Sequence, residues 1–332
     1  MSLITTAVLG AIGVMGAVGH SCAKETNEKA QKVSRDAQHL YENEKYQLEQ
    51  TKKKTEEIIL KLGETKRSVL DTSMKKFLNS YEKIKHIQFT ETVGINEISK
   101  LMIDQQGVSD LRKMMDTYYE SIESNDATAV VALATVGSLW ASASGLSLMM
   151  GTLFKVGGPV ALFTTALSSS IKADENLEKA NAMYAEAEAA TEKMKVSETL
   201  YGAIFDRTDM FHDLLVDLNE MFSVCSSLLV EMLKKKEVVT FKPKLTSQDF
   251  TEDELKLIAV TRALAGAVKS VIDTPILSKN GNVSYESENV YYQTVDKMHD
   301  LSLAVEGVEV NYGCENVNAR KVKRKYRPVN KK

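Results

Sequence analysis

The sequence predicts an all-α protein, an elongated bundle of long amphipathic helices carrying an apolar hairpin insert that is itself helical. Three observations predict it. The 332 residues include only 4 Pro and 17 Gly against 26% charged residues, so helix breakers are scarce. Apolar residues recur at three- and four-residue steps over long stretches, which is the spacing of one helix face. Residues 127–171 form a 45-residue tract with a single charge, Lys155, inside an otherwise highly charged chain.

The chain opens with MSLITTAVLGAIGVMGAVG, in which Gly10, Gly13, Gly16 and Gly19 recur every three residues. Small residues at that spacing let helix backbones approach closely, as in membrane helix pairs. The segment is at the short limit for crossing a bilayer. It lacks the basic start of a secretory signal, so a cleaved signal is the weaker alternative. Residues 24–57 are charged with few apolar anchors and read as a surface helix. From Ile58 the pattern tightens: Leu70, Met74, Phe77, Tyr81, Ile84 and Ile87 give one continuous stripe. Gly94 and Gly107 are weak points. A further amphipathic piece over 111–122 leads to Ser124-Asn125-Asp126, which caps the start of the apolar tract.

The apolar tract divides at Gly157-Gly158-Pro159, a turn signal. Residues 127–154 would make about 42 Å of helix, longer than a ~30 Å hydrocarbon core. Residues 159–171 make a shorter arm. A β-hairpin tongue is the second choice, because Val, Thr and Leu are abundant. The plainer alternative is a central helix buried in the bundle.

Residues 172–236 carry the strictest heptad, Phe211, Leu215, Leu218, Phe222, Cys225, Leu229 and Met232. Residues 238–250 read as an extended connector, with a short strand over 238–241. Thr251 to Glu254 form a capping box that opens a helix along Leu255, Ile258, Arg262, Ala265, Val268 and Ile272. Asp273-Thr274-Pro275 stops it. Asn280-Gly281 is a turn, residues 286–306 are a last helix, and the remaining tail is loose. The organisation is therefore 1–23 apolar segment, 24–126 charged helices, 127–171 hairpin, 172–310 heptad and C-terminal helices, and 311–332 basic tail.

The net charge of −3 hides an asymmetry. Residues 172–319 hold 15 basic and 26 acidic side chains, whereas 320–332 hold 8 basic and none acidic. A basic tail on an acidic body marks an anionic partner, or else a tail that is solvated or folds back on the body. Arg320, Lys321, Lys323, Arg324, Lys325 and Arg327 are the anionic-surface candidates. Nucleic acid is disfavoured as partner, because no aromatic platform beyond Tyr326 accompanies them. Three widely spaced cysteines, Cys22, Cys225 and Cys314, suggest no disulfide framework. The five histidines lack metal-ligand spacing, and no phosphate loop or nucleophile motif occurs. No enzyme activity, cofactor or metal is expected.

A tract apolar all the way round must be enclosed by protein or placed in lipid. Its small side chains gain little from burial, which favours lipid. The lipid-contact candidates are Leu9 and Gly13, then Val131, Leu139, Trp140, Leu148, Phe154, Val160, Leu162 and Phe163. Phe211, Leu215, Leu218, Phe222 and Leu229 are the self-association candidates. The expected protein is membrane-associated, with a cytoplasmic or secreted soluble form, and acts as a homo-oligomer on a lipid bilayer. The rival is an anchored or cytoplasmic coiled-coil scaffold with a helical protein partner.

Charged helices over 24–125, a bipartite apolar insert over 127–171 and a long heptad helix over 172–236 resemble, in architecture, the α-helical pore-forming toxins of the cytolysin A and haemolysin BL type. The resemblance implies a hairpin packed against the bundle in water, which swings out into a membrane as protomers form a ring; the 200–232 stripe is the expected packing site. Residues 130–154 and 160–171 would be the inserting element, the Gly157-Gly158-Pro159 turn its tip, and 3–19 a second entering element. Apolipoprotein-L-like proteins have a similarly placed apolar hairpin.

Overall fold

The computed structural model of the chain describes residues 21–84, 87, 98–122, 127–136, 173–240, 242, 244–278, 280–314 and 317–327. Outside them lie the N-terminal glycine series, the Ser124-Asn125-Asp126 cap, the tract from 137 to 171 and its Gly157-Gly158-Pro159 turn. The helices are α1 (Ser21–Val69), α2 (Lys75–Tyr81), α3 (Gln105–Ile122), α4 (Ala127–Val136), α5 (Ala173–Thr240), α6 (Glu252–Asp273), α7 (Tyr285–Asn311) and α8 (Val317–Lys325). A π-turn, Leu70–Met74, joins α1 to α2. Among the described residues extended pairing is limited to two isolated bridges, Ile84 with Leu245 and Leu277 with Val283. The fold is all-α. No described helix is long and apolar enough to cross a membrane.

Two compact units are built from discontinuous pieces. The first comprises residues 1–55 with 150–203, described over 21–55 and 173–203. Its helices are parallel. Asn176 Nδ2 donates to Asn27 Oδ1 at 3.2 Å, Thr51 Oγ1 to Glu198 Oε1 at 3.1 Å, and Thr55 Oγ1 to the Tyr201 carbonyl at 3.1 Å. The partner numbers rise together, which only a parallel pair allows. Ala30 and Ala37 on one helix, and Ala180 and Ala187 on the other, are buried at seven-residue spacing. That is the heptad repeat of a packed seam, here lined by small side chains.

The second unit comprises residues 56–149 and 204–332. Its centre is α6, where Leu257, Ile258, Ala259, Val260, Thr261, Arg262, Ala263, Leu264 and Ala265 are all buried. The one-sided stripe expected there is therefore corrected over 257–265, which is enclosed on every side, while Ser270 further along is exposed. Its ends match expectation. Thr251 and Glu254 form the reciprocal cap, Thr251 N donating to Glu254 Oε2 at 2.7 Å. Gly281 takes φ +79°, a left-handed turn conformation that glycine adopts without steric cost.

Three local expectations change. Residues 238–240 are helical, not strand: α5 continues to Thr240. Each added helical residue gains a backbone hydrogen bond, while a β-branched side chain costs only about 0.7 kcal/mol or less. The last helix runs further than expected, to Asn311. The tail is not loose: α8 buries Ala319 and Val322.

Candidate functional site

The first ten residues of the apolar tract are α4, and the second unit holds them in a specific seat. Gly63 of α1 makes the approach: a Cβ there would lie 2.2 Å from the Val130 carbonyl oxygen, so no other residue fits without moving α4. One turn later on α1 stands Lys66, completely buried. Its Nζ donates to the carbonyls of Leu133 (3.0 Å), Ala134 (3.3 Å) and Ile272 (3.1 Å). These belong to the last turns of α4 and α6, where carbonyls lack helical partners and carry the negative end of the helix dipole. The Thr135 carbonyl of α4 receives the Leu277 N–H at 3.1 Å. Lys66 is thus a shared C-terminal cap for two helices.

The charge state of that cap is finely set. Burial pushes the Lys66 ammonium down to about 7, and the nearby Asp273 carboxylate works in the opposite direction. An ammonium has three donors, and three carbonyls face it. Asp273 Oδ2 itself pairs with Lys269. Beyond Asp273, an open cleft of about 450 Å³ is lined by Ile103, Asp104, Gly266, Lys269 and Glu286. Polar groups along it are occupied locally: Asp104 Oδ1 accepts from the Gly107 N–H at 2.7 Å, and the Thr274 hydroxyl donates to the Ser270 carbonyl at 2.6 Å.

A second buried cation ties the unit together. Arg262 donates from Nε and Nη2 to the Ile103 carbonyl at 3.2 and 2.7 Å, and from Nη1 to the Ile87 carbonyl at 3.4 Å. Its guanidinium lies 5.7 Å from the centre of the Tyr81 ring. The sequence places Arg262 on an apolar stripe without giving it a role, and it does not single out Lys66 at all. The available signal is a cation standing at a core position of an apolar stripe.

Of the lipid-contact candidates, Val131 is described: it is buried in the seat with Leu133 and Ala134. Leu9, Gly13, Leu139, Trp140, Leu148, Phe154, Val160, Leu162 and Phe163 lie outside the described residues. The heptad side chains Phe211, Leu215, Leu218, Phe222 and Leu229 are fully buried within one chain. Phe222 meets Phe77 at 5.8 Å between ring centres, and Phe211 meets Tyr291 at 6.1 Å. Within the chain Phe222 thus packs against α2 and Phe211 against α7.

The basic residues split into two groups. Arg320 and Lys323 face Glu306, and Lys325 reaches Asp217 at 2.6 Å, where Tyr326 Oη also donates at 2.9 Å. Lys321, Arg324 and Arg327 are exposed, and no ion pair links them to another described residue. Among the described residues Asp209, His212 and Asp213 bring possible ligand atoms within 4.8 Å of one another. Lys325 Nζ lies 3.9 Å from Asp213, so an ammonium already neutralises part of that cluster.

No family model matches the chain, and no curated protein or solved structure is significantly similar to it.

Proposed function

We propose that this is a membrane-contacting helical protein that places its two apolar segments, 3–19 and 127–171, in one bilayer and perturbs it. One observation carries the reading: residues 21–55 and 173–203 pair in parallel, with Asn27 beside Asn176. Each apolar segment leads into the N-terminal end of one of these helices, so both attachment points lie at the same end of the pair. An antiparallel pair would have set them apart. Two glycine-rich apolar segments delivered together can associate closely in lipid. The exposed cations Lys321, Arg324 and Arg327 add attraction to anionic headgroups, about 1 kcal/mol each near the surface.

The test is leakage of dye from vesicles containing anionic lipid, using the full chain. Deleting the tract is the wrong perturbation, because parallel helices need a long connection between them. Single charges are cleaner: L148E and V160E are each expected to cut leakage at least about tenfold, since a charge at the bilayer centre costs roughly 2.5–3.5 kcal/mol. Undiminished leakage in both variants removes the tract from the mechanism.

The seating of α4 favours a second reading, an anchored scaffold without permeabilising activity. Leu133 and Ala134 are fully buried, so the tract begins as part of the core. Carbonate-resistant membrane association without any leakage selects this reading.

A further inference from the structure

Four of the ten large apolar side chains left exposed among the described residues sit on one helix, α7: Tyr285 (75%), Tyr292 (54%), Leu303 (43%) and Val310 (69%). They are separated by 7, 11 and 7 residues. At about 100° per residue, each of these steps returns to within about 20° of the starting direction. The four therefore fall on one line along the helix, roughly 37 Å long. Met298, Leu301, Val305 and Val308 are buried on the same helix, so this line is a second, outward apolar stripe. Exposed apolar side chains scattered singly need no explanation; these four share one face of α7, where Asn289, Asp296 and His299 stand between them.

The spacing is also a palindrome. The midpoint of 285 and 310 and the midpoint of 292 and 303 both fall between Lys297 and Met298. We propose that α7 is a self-association surface, on which a second copy of the chain packs antiparallel about a two-fold axis passing between Lys297 and Met298.

In that arrangement Tyr292 meets the second copy's Leu303, and Tyr285 meets its Val310, each contact occurring twice. This reciprocity is what a two-fold interface requires. A partner of unrelated sequence would not need mirror-symmetric anchors. The polar positions agree: Asp296 falls opposite the second copy's His299, an acceptor facing a ring that can donate. Beside the stripe Glu288 comes near the second copy's Glu306, and each of these acids already has a cation of its own chain, Arg207 at 3.5 Å and Lys323 at 2.6 Å. A single helix face is a small contact beside the ~800 Å² per partner of a standard interface, so association is weak and reversible.

Sedimentation of the full chain over a concentration series tests this. Wild type is expected to show a reversible monomer–dimer equilibrium. Y292E and L303E should each weaken it at least about tenfold, an effect of about 1.4 kcal/mol or more. V196E, at an exposed apolar position of the first unit, should leave it unchanged. The double variant Y292E/L303K should restore dimerisation, because the pairing sets each new acid against a new base. A wild type that stays monomeric, or a dimer indifferent to both Y292E and L303E, overturns the surface. Failure of the double variant to recover overturns the antiparallel register. All positions are exposed, so a helical circular-dichroism signal equal to wild type is the control for folding.

Discussion

Lys66 is the residue on which the docking of the apolar tract turns, and its energetics carry a sign. Its folded-state value of about 7 lies below the ordinary lysine value of 10.5. Between those two values the unfolded chain binds more protons than the folded one, so stability rises with pH across that window. Stability is correspondingly lost as pH falls toward and through 7, and the contribution is at its floor below that. Between pH 8 and pH 6 the loss comes to about 1.4 kcal/mol. K66M lacks this slope. At pH 8 it should be less stable by roughly 1–3 kcal/mol, because the carbonyls of Leu133, Ala134 and Ile272 lose the Lys66 nitrogen, which at that pH is mostly the neutral amine with two N–H donors. That deficit should shrink by about 1.4 kcal/mol at pH 6. Hydrogen exchange of the α4 amides, corrected for intrinsic rates, reads both effects, and equal slopes in the two chains would remove Lys66 as their source. Acidification thus loosens the seat of α4, which is the direction a membrane-entering tract would use.

At the scale of elements, close approach separates glycines that look alike in sequence. Gly63 and Gly202 both sit inside long helices, where glycine costs about 1 kcal/mol relative to alanine. Around Gly202 nothing lies within 4 Å of an added Cβ, whereas at Gly63 the Val130 carbonyl is in the way. G202A should therefore stabilise by about 0.5–1 kcal/mol and G63A destabilise by roughly 1–3 kcal/mol in chemical unfolding. A G63A chain as stable as wild type would mean that α4 does not sit against α1. α8 gives a comparable case. Truncation after residue 316 should lower the melting temperature, since Ala319 and Val322 leave the core and the buried Asp217 loses Lys325 and Tyr326. The loss is roughly 2–4 kcal/mol. Helix existence was legible here, because heptads, the Thr251 cap and the Gly281 turn are local signals. The role of the tail was not. Eight basic residues read as an anion-binding tail, or as one that is solvated or folds back on the acidic body, and only the fold names Asp217 and Glu306 as the acids that α8 meets. Arg262 is likewise placed on an apolar face by its spacing. The carbonyls of Ile87 and Ile103 that make burial of its charge tolerable come from 175 and 159 residues away in sequence.

At the scale of the whole molecule, the direction of helix pairing matters most and was least legible. A heptad stripe says that a helix wants a partner but not which way that partner runs. The parallel pairing of 21–55 with 173–203 gives the two apolar segments a common point of departure, and so a prediction about where they go together. Trp140 is the chain's single tryptophan and lies within the apolar tract, so its fluorescence reports on that tract alone. Added vesicles should shift its emission to the blue, and lipids brominated along the acyl chain should quench it. A second chain, L9W/W140F, moves the reporter to the N-terminal segment. If both segments enter one bilayer, the two reporters respond over the same range of lipid concentration. L148E, which opposes entry of the tract, should then weaken the response of the L9W/W140F reporter as well, because the helix pair holds both attachment points together. Quenching of one reporter alone would reduce the molecule to a singly anchored one. An unchanged spectrum for both, at vesicle concentrations that bind the basic face of α8, would leave the apolar segments enclosed by protein.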